Sequence, residues 1–271
     1  MGADVVSGRA RRVLAPNPGP MTLEGTNTWL LAEPGSEQVV VLDPGPDDAA
    51  HLDAVSSAVA DAGQRIAVVV LTHGHADHSA GARTLASAAG VGVRAFDPAH
   101  RLGAEGLADG DVLTVGGLEL RAVATPGHSA DHVCLLLPAE DAVLTGDHVL
   151  GRGTTVVAHP DGRLQDYLDS LERLQALGAR RLLPGHGPVV DDPAGVVAHY
   201  LAHRRRRLDE VVDTLADVGL ATPRELVERI YHDVDRVLWP AAELTLRAAL
   251  ELLVDAGRVA VDAEGRHELV G

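Results

Sequence analysis

The chain has 271 residues, enough for one large domain or for a large domain and a small one. Its formal net charge is −16 and aromatic residues make up only 2%, which argues against general attraction to nucleic acid and against platforms for stacked bases. The single cysteine, Cys134, cannot form an internal disulfide, and its apolar neighbours predict a small buried side chain.

The sequence shows no signal for export or membrane insertion. Its first residues, MGADVVSGRARRVLAP, contain no apolar run of the kind that secretory signals need. No later stretch approaches the length of a transmembrane helix. From these features we predict a cytoplasmic protein without a membrane partner, and we predict no particular oligomeric state.

Short strands alternate with helices through about residue 195. Residues 26–32 and 38–42 are predicted to form a hairpin, and residues 47–62 a helix that ends at Gly63. Residues 66–71 are an all-apolar run, typical of a strand buried on both faces. The remaining predicted elements of this part are a helix over 77–89, strands over 111–115, 118–124, 132–137 and 142–145, a helix over 166–177 and a strand over 181–183.

Beyond residue 195 the pattern changes to helices followed by a hairpin. A long helix is predicted from Pro193 to about Val218, and the next helix begins with Thr222 as N-cap and Pro223 in its first turn. A further helix and two short strands complete the pattern of a small winged-helix module, at 240–256, 258–261 and 267–270. We therefore predict two domains, 1–195 and 196–271.

The segment LTHGHADHSAG, residues 71–81, places three histidines and an aspartate within six positions. It follows directly on the predicted buried strand, so His73 and His75 lie at the C-terminal end of that strand. Open α/β sheets place their ligand sites at these ends. A solvated loop has no need of so many imidazole rings, and the segment therefore predicts a metal site.

Three other predicted strands also end in a ligand-type residue beside a glycine. His128 follows the strand over 118–124, Asp147 the strand over 142–145, and His186 the strand over 181–183. The full set suffices for two metals with room for water. Imidazole and carboxylate ligands favour two zinc ions, and iron and manganese accept the same ligands. The seven candidate ligands are His73, His75, Asp77, His78, His128, Asp147 and His186.

The H-x-H-x-D-H spacing of residues 73–78 resembles the motif of the metallo-β-lactamase-fold hydrolases. The resemblance implies the α+β class, with a four-layer αββα sandwich. It also implies that Asp43 supports the motif loop through hydrogen bonds, the alternative being an aspartate that caps the turn before Pro44. It assigns His73, His75 and His128 to one metal, and Asp77, His78 and His186 to the second, with Asp147 as the bridge.

A closer resemblance covers nearly the whole chain. The segments NPGP, GTNT, LGRGTT and PGHGP, at 17–20, 25–28, 150–155 and 184–188, are similar to those of the β-lactamase-like protein 2 family. That family carries a C-terminal winged helix. Its mitochondrial members are described as single-strand-specific endoribonucleases and its bacterial members as metal-dependent hydrolases. By this resemblance His203, in the run HRRRR at 203–207, is a candidate for substrate contact, although such an arginine run is more often a solvated helix face.

The predicted function is metal-dependent hydrolysis with a hydroxide shared between two metals as the nucleophile. Asp77 and Asp147 are the predicted catalytic residues, because these ionised ligands can also receive the proton lost during attack. The closer resemblance implies single-stranded RNA as substrate, and a small ester or thioester, as in a glyoxalase II-like enzyme, is the alternative. Residues 196–271 hold 10 arginines against 14 carboxylates, which disfavours specific binding of duplex DNA.

Overall fold

The computed structural model describes residues 2–270, which divide into two compact units. The first unit comprises the chain up to Thr125, Asp131–Gly153 and Leu177–Pro193. The second comprises Pro126–Ala130, Thr154–Ala176 and the chain from Ala194 on. Two early segments thus belong to the same unit as the C-terminal residues, and the domain boundary at residue 195 stays a prediction.

The first unit contains a six-stranded sheet whose strands neighbour one another in chain order. The pairs β4–β5 and β5–β6 are parallel and the others antiparallel. The predicted hairpin is confirmed as β3 and β4. These strands are β1 (Asp4–Val5), β2 (Ala10–Leu14), β3 (Asn27–Leu31), β4 (Gln38–Leu42), β5 (Arg65–Val70) and β6 (Val93–Arg94).

A five-stranded sheet, in the order β11-β10-β9-β8-β7, completes the strands of the first unit. The strands predicted over 111–115, 118–124, 132–137 and 142–145 form an antiparallel meander, and β10 also pairs with β11 in parallel. Cys134 is buried in it, as predicted. The strands are β7 (Val112–Val115), β8 (Leu118–Ala124), β9 (Val133–Leu137), β10 (Ala142–Gly146) and β11 (Arg181–Pro184).

Strand β5 is buried on both faces, as its all-apolar sequence predicts. Val68 and Val70 lie in the core that also contains Leu135 of the second sheet, so the two sheets face each other. Val69 and the following Leu71 lie in a separate cluster with the helix α1 (Ala49–Asp61) and with α3 (Ala82–Ala89). Burying such side chains contributes about 1.5–3 kcal/mol each. The end of β5, where the histidine motif begins, is therefore held from both sides.

The single helix predicted over 77–89 is wrong. The chain forms a short helix α2 (Ala76–Ser79) and then α3, with Ala80 and Gly81 between them. The N–H of Gly81 donates to the carbonyl of Gly45 at 3.0 Å. A Cβ at Gly81 would lie 2.9 Å from the carbonyl oxygen of Pro46. The backbone bonds to this neighbouring loop instead of continuing one helix.

The second unit contains four longer helices and a hairpin. Thr222 caps α6 in a capping box with Glu225, so the predicted helix start is confirmed. A core of Val211, Leu226 and Leu250 joins α5, α6 and α7 in the winged-helix arrangement predicted from the sequence. The elements are α4 (Leu164–Ala176), α5 (Pro193–Val218), α6 (Pro223–Ile230), α7 (Trp239–Asp255), β12 (Val259–Val261) and β13 (His267–Leu269).

Among residues 2–270, no helix combines the length and the apolar character that a membrane span requires.

Candidate metal centre

Four of the seven predicted ligands converge at the ends of β5, β10 and β11. One ligand atom from each of Asp77, His78, Asp147 and His186 lies within 4.8 Å of the other three. The Nε2 atoms of His78 and His186 are 3.2 Å apart, and Oδ1 of Asp147 lies 3.3 Å from each of them. Oδ2 of Asp77 lies 3.2 Å from Nε2 of His186. Two nitrogens and two oxygens directed at one point fit a divalent cation such as zinc.

The four ligands differ in how far solvent reaches them. His78 and His186 are fully buried, and the side chain of Asp147 is 10% exposed. The side chain of Asp77 is 30% exposed. Solvent therefore reaches the cluster mainly at Asp77.

His73 and His75 lie beside this cluster. Nε2 of His73 is 3.1 Å from Nδ1 of His75, and the ring centroid of His73 is 4.3 Å from that of His78. Nδ1 of His73 lies 3.0 Å from the hydroxyl of Thr72. The ring centroids of His73 and His75 are 4.7 Å apart. The first unit thus brings together six of the seven predicted ligands.

His128, the seventh predicted ligand, belongs to a loop of the second unit. Its Nδ1 lies 2.7 Å from the carbonyl oxygen of Val156 and 3.3 Å from the hydroxyl of Thr155. A carbonyl only accepts, so Nδ1 carries the proton and the neutral ring has its lone pair on Nε2. This is the tautomer that an Nε2 metal ligand needs. That His128 completes the first metal site stays a prediction.

Asp43 orients one ligand and the loop that carries it. Its Oδ1 accepts the backbone N–H of Thr72 at 2.8 Å, and its Oδ2 accepts the Thr72 hydroxyl at 2.7 Å. Oδ2 also lies 2.9 Å from Nδ1 of His78. The imidazole therefore donates from Nδ1 and turns Nε2 to the cluster. These are the hydrogen bonds that the family resemblance implies.

His132 supports the site, although the sequence analysis does not single it out. It is buried, and its Nε2 accepts the backbone N–H of Asp147 at 3.2 Å. Its Nδ1 lies 2.9 Å from the Thr125 hydroxyl. The available signal is its place directly before β9 and opposite the end of β8, next to the strand end that His128 follows.

Asn27 explains the GTNT segment of the closer resemblance. Its amide nitrogen donates to the carbonyls of Pro184 and Gly187, at 2.9 Å each. Its backbone N–H donates to the carbonyl of Gly185 at 2.7 Å. One buried side chain thereby fixes the loop that carries His186 against β3.

Comparison with known proteins agrees with this geometry. Residues 21–186 match the model of the metallo-beta-lactamase superfamily, and residues 222–266 match that of the beta-lactamase associated winged helix domain. The chain belongs to the metallo-beta-lactamase superfamily. It is accordingly a metal-dependent hydrolase, and its His/Asp cluster is able to bind metal ions.

Relatives of this superfamily member match along most of its length. An atrochrysone carboxyl ACP thioesterase from Aspergillus fumigatus is 38% identical, over 84% of this chain and 75% of the relative. A beta-lactamase-like protein 2 homolog from Caenorhabditis elegans is 34% identical, over 94% of this chain and 87% of the relative. These matches confirm the predicted resemblance.

The fold is shared with a crystal structure of a metallo-beta-lactamase family protein from Thermus thermophilus. The TM-score is 0.81 at 24% identity, and the match covers 98% of this chain and 100% of the other. The predicted four-layer sandwich with a C-terminal winged helix is confirmed.

The carboxylates of the cluster favour protonated, positively charged imidazoles at His78 and His186. Burial lowers the pKa of His186, but hydrogen bonds to Asp147 and Asp77 outweigh it and raise that pKa from 6.5 to about 9. Burial also works against the His78 imidazolium, yet Asp147 and Asp43 raise its pKa well above the usual value. Burial raises the pKa of Asp147, and the two imidazoles reverse this and hold it well below its usual range. Carboxylates thus stay ionised while the imidazoles hold protons.

We predict that metal binding at pH 7 releases protons. With a pKa of about 9, His186 is protonated at pH 7 in the metal-free protein, and a metal ligand must be unprotonated. The protonated ring stabilises the metal-free fold fully below pH 6.5, and this contribution is lost as the pH rises through 9. Zinc affinity therefore increases over the same interval. Calorimetric zinc titration in two buffers of different ionisation enthalpy measures the release, and zero proton release contradicts the prediction.

We predict that Gly185→Ala weakens the metal centre. A Cβ at Gly185 would lie 2.6 Å from Cε1 of His78 and 2.9 Å from Oδ1 of Asp147, so these ligands must move. Zinc affinity, measured by chelator competition, should fall roughly 10-fold or more, as it does when ligands lose their alignment. The matched control is Gly8→Ala, whose Cβ would meet only Oε1 of Glu140, at 3.8 Å. Equal affinity in both variants contradicts the prediction.

Proposed function

We propose that this chain hydrolyses small acyl thioesters with a two-metal centre. The observation that carries the proposal is the convergence of Asp77, His78, Asp147 and His186, with His73 and His75 beside them. The family resemblance adds His128 as the third imidazole of the first metal and makes Asp147 the bridge. The ligand chemistry favours zinc for both positions, and iron and manganese accept the same donors.

Bound divalent cations supply Lewis acidity, which lowers the pKa of water and polarises a scissile carbonyl. The residues of the chain divide the remaining work. Burial raises the pKa of Asp77, but its hydrogen bond with His186 and the charges of His78 and His186 together outweigh this and lower it, so the carboxylate is ionised at neutral pH. Because Asp77 is the most exposed of the four ligands, it can accept the proton lost by an attacking water. His132 holds the backbone of Asp147 in place.

The substrate class is proposed from two observations. Two relatives, 38% and 33% identical to the chain, are named atrochrysone carboxyl ACP thioesterases. The chain also carries a net charge of −16, which weakens long-range attraction to a polyanion such as RNA. A neutral or weakly charged acyl thioester meets no such barrier.

Single-stranded RNA is the second candidate. The chain is 34% identical to a beta-lactamase-like protein 2 homolog over 94% of its length. Two-metal centres suit phosphodiester cleavage as well as ester cleavage. Cleavage of RNA stays a prediction from the sequence resemblance.

We test the function with zinc-loaded wild type and Asp147→Ala, purified identically. The substrates are an N-acetylcysteamine thioester, an aryl ester and an unstructured RNA at physiological salt. We expect elemental analysis to find two zinc ions per wild-type chain. We expect thioester hydrolysis by Asp147→Ala to be roughly 100-fold slower or more. Losing a residue that only supports a ligand already lowers metal affinity or activity about 10- to 100-fold, and Asp147 is itself a proposed ligand. Circular dichroism should show both proteins folded.

The other outcomes redirect the proposal. RNA cleavage by wild type alone, with no thioester hydrolysis, moves the function to the second candidate. Equal RNA cleavage by both proteins shows a contaminating nuclease. Hydrolysis of the thioester at equal rates by both proteins contradicts the role of the metal centre.

A further inference from the structure

Arg204 is a buried charged residue on α5, in the second unit. It is only 3% exposed, whereas the neighbouring Arg205 and Arg206 are exposed. The expectation that the whole run faces solvent is therefore wrong for Arg204. A buried charge is costly unless it is paired, yet among residues 2–270 the guanidinium of Arg204 forms no ion pair with a carboxylate. Its burial needs another explanation.

The contacts of Arg204 are a ring and a backbone carbonyl. Its Cζ lies 5.2 Å from the ring centroid of Tyr167, which is fully buried on α4. One guanidinium nitrogen, Nη2, donates to the carbonyl oxygen of Thr155. The buried Nε has no hydrogen-bond partner in the described residues. The guanidinium is thus positioned over the ring and directs its charge at one carbonyl.

That carbonyl belongs to the segment that orients His128. The next residue, Val156, accepts the Nδ1 proton of His128 at 2.7 Å, and the Thr155 hydroxyl lies 3.3 Å from the same nitrogen. The Thr155 carbonyl belongs to the planar peptide between Thr155 and Val156, and the Val156 carbonyl begins the next peptide, so fixing the first restrains the second through the backbone dihedral angles of Val156. A contiguous set of contacts therefore runs from Arg204 through two backbone residues to His128.

A purely structural role does not require this charge. Replacing a buried charge by an apolar side chain of similar volume is often neutral or stabilising, so packing alone favours a residue such as methionine at this position. A methionine cannot donate a hydrogen bond to a carbonyl. What the arginine adds is a fixed donor for Thr155, supported by a cation–π contact with Tyr167.

We propose that Arg204 is a positioning residue for the metal centre. It holds the Thr155–Val156 backbone so that His128 keeps its proton on Nδ1 and presents Nε2 to a metal. This role rests on the proposed function, in which His128 is a metal ligand. The long helix α5 thereby contributes to the geometry of a ligand, without touching the reacting atoms.

The first test compares Arg204→Met with wild type and with the matched control Arg205→Met, which changes an exposed arginine one position along. Zinc affinity is measured by chelator competition. We expect Arg204→Met to bind one of two zinc ions roughly 10- to 100-fold more weakly and the other unchanged. We expect Arg205→Met to bind both as wild type does. A weakening shared equally by the two variants, or absent from both, overturns the proposal.

The second test observes the Nδ1 proton of His128 directly. Nitrogen-15 NMR of the imidazoles, assigned with His128→Gln, should show a slowly exchanging Nδ1–H in wild type. In Arg204→Met this signal should exchange faster or disappear. Arg204→Lys keeps the charge and a donor but not the planar guanidinium, and should recover part of the signal. If Arg204→Met does not fold, Arg204→Lys decides, and an unchanged signal with wild-type zinc affinity overturns the proposal.

The two tests separate this role from the proposed function. A wild-type protein that binds no metal contradicts the proposed function, and the role of Arg204 in holding His128 is then decided by the NMR signal alone. A wild-type protein that binds two metals, with both signal and affinity unchanged in the Arg204 variants, leaves the proposed function standing and removes Arg204 from it.

Discussion

One buried carboxylate connects the ends of the two parallel strands on which the site depends. Asp43 follows β4, and it binds Thr72 and His78, which follow β5. Removing a carboxylate from water is costly, and charge-assisted hydrogen bonds from the backbone, a hydroxyl and an imidazole offset this cost. The backbone of Asp43 is also left-handed, with φ 49°, a conformation that costs roughly 1–2 kcal/mol for a residue with a Cβ. The hydrogen bonds hold it there.

The ligands of the second sheet reach this point because glycines let backbones approach closely. A Cβ at Gly146 would lie 2.6 Å from the hydroxyl of Thr72, and one at Gly185 would lie 2.6 Å from the ring of His78. Asp147 and His186 follow these glycines, so the absent side chains set how near the two sheets' ligands can come. Asn27 then fixes the His186 loop from the first sheet. The site therefore depends on both facing sheets, because their shared apolar core fixes the positions of the two edges that carry it.

The sequence predicts the cluster of Asp77, His78, Asp147 and His186 because these residues combine two independent signals, a metal-binding residue type and a position near the end of an apolar strand. It does not predict His132 or Arg204, whose partners are backbone groups distant in the chain. An arginine run on a helix looks solvated until the position of each residue around the helix is known. The sequence also does not predict the break at Gly81, because the carbonyl that binds its N–H belongs to Gly45 in another loop. Hydrogen bonds between residues distant in the sequence determine the roles of His132 and Arg204 and the break at Gly81.

Charge balance within the cluster determines what a cation has to displace. In the metal-free protein Asp43 and Asp147 are both buried, and their fields raise the pKa of the intervening His78 despite its burial. Protons on the imidazoles then supply the positive charge that the carboxylates require. Cation binding exchanges those protons for a metal at the edge of a scaffold that has its own apolar core, unlike small zinc domains in which binding free energy is the folding free energy. The two facing sheets provide that scaffold, so hydrophobic burial stabilises the fold and the polar groups at its edge are left to determine the chemistry.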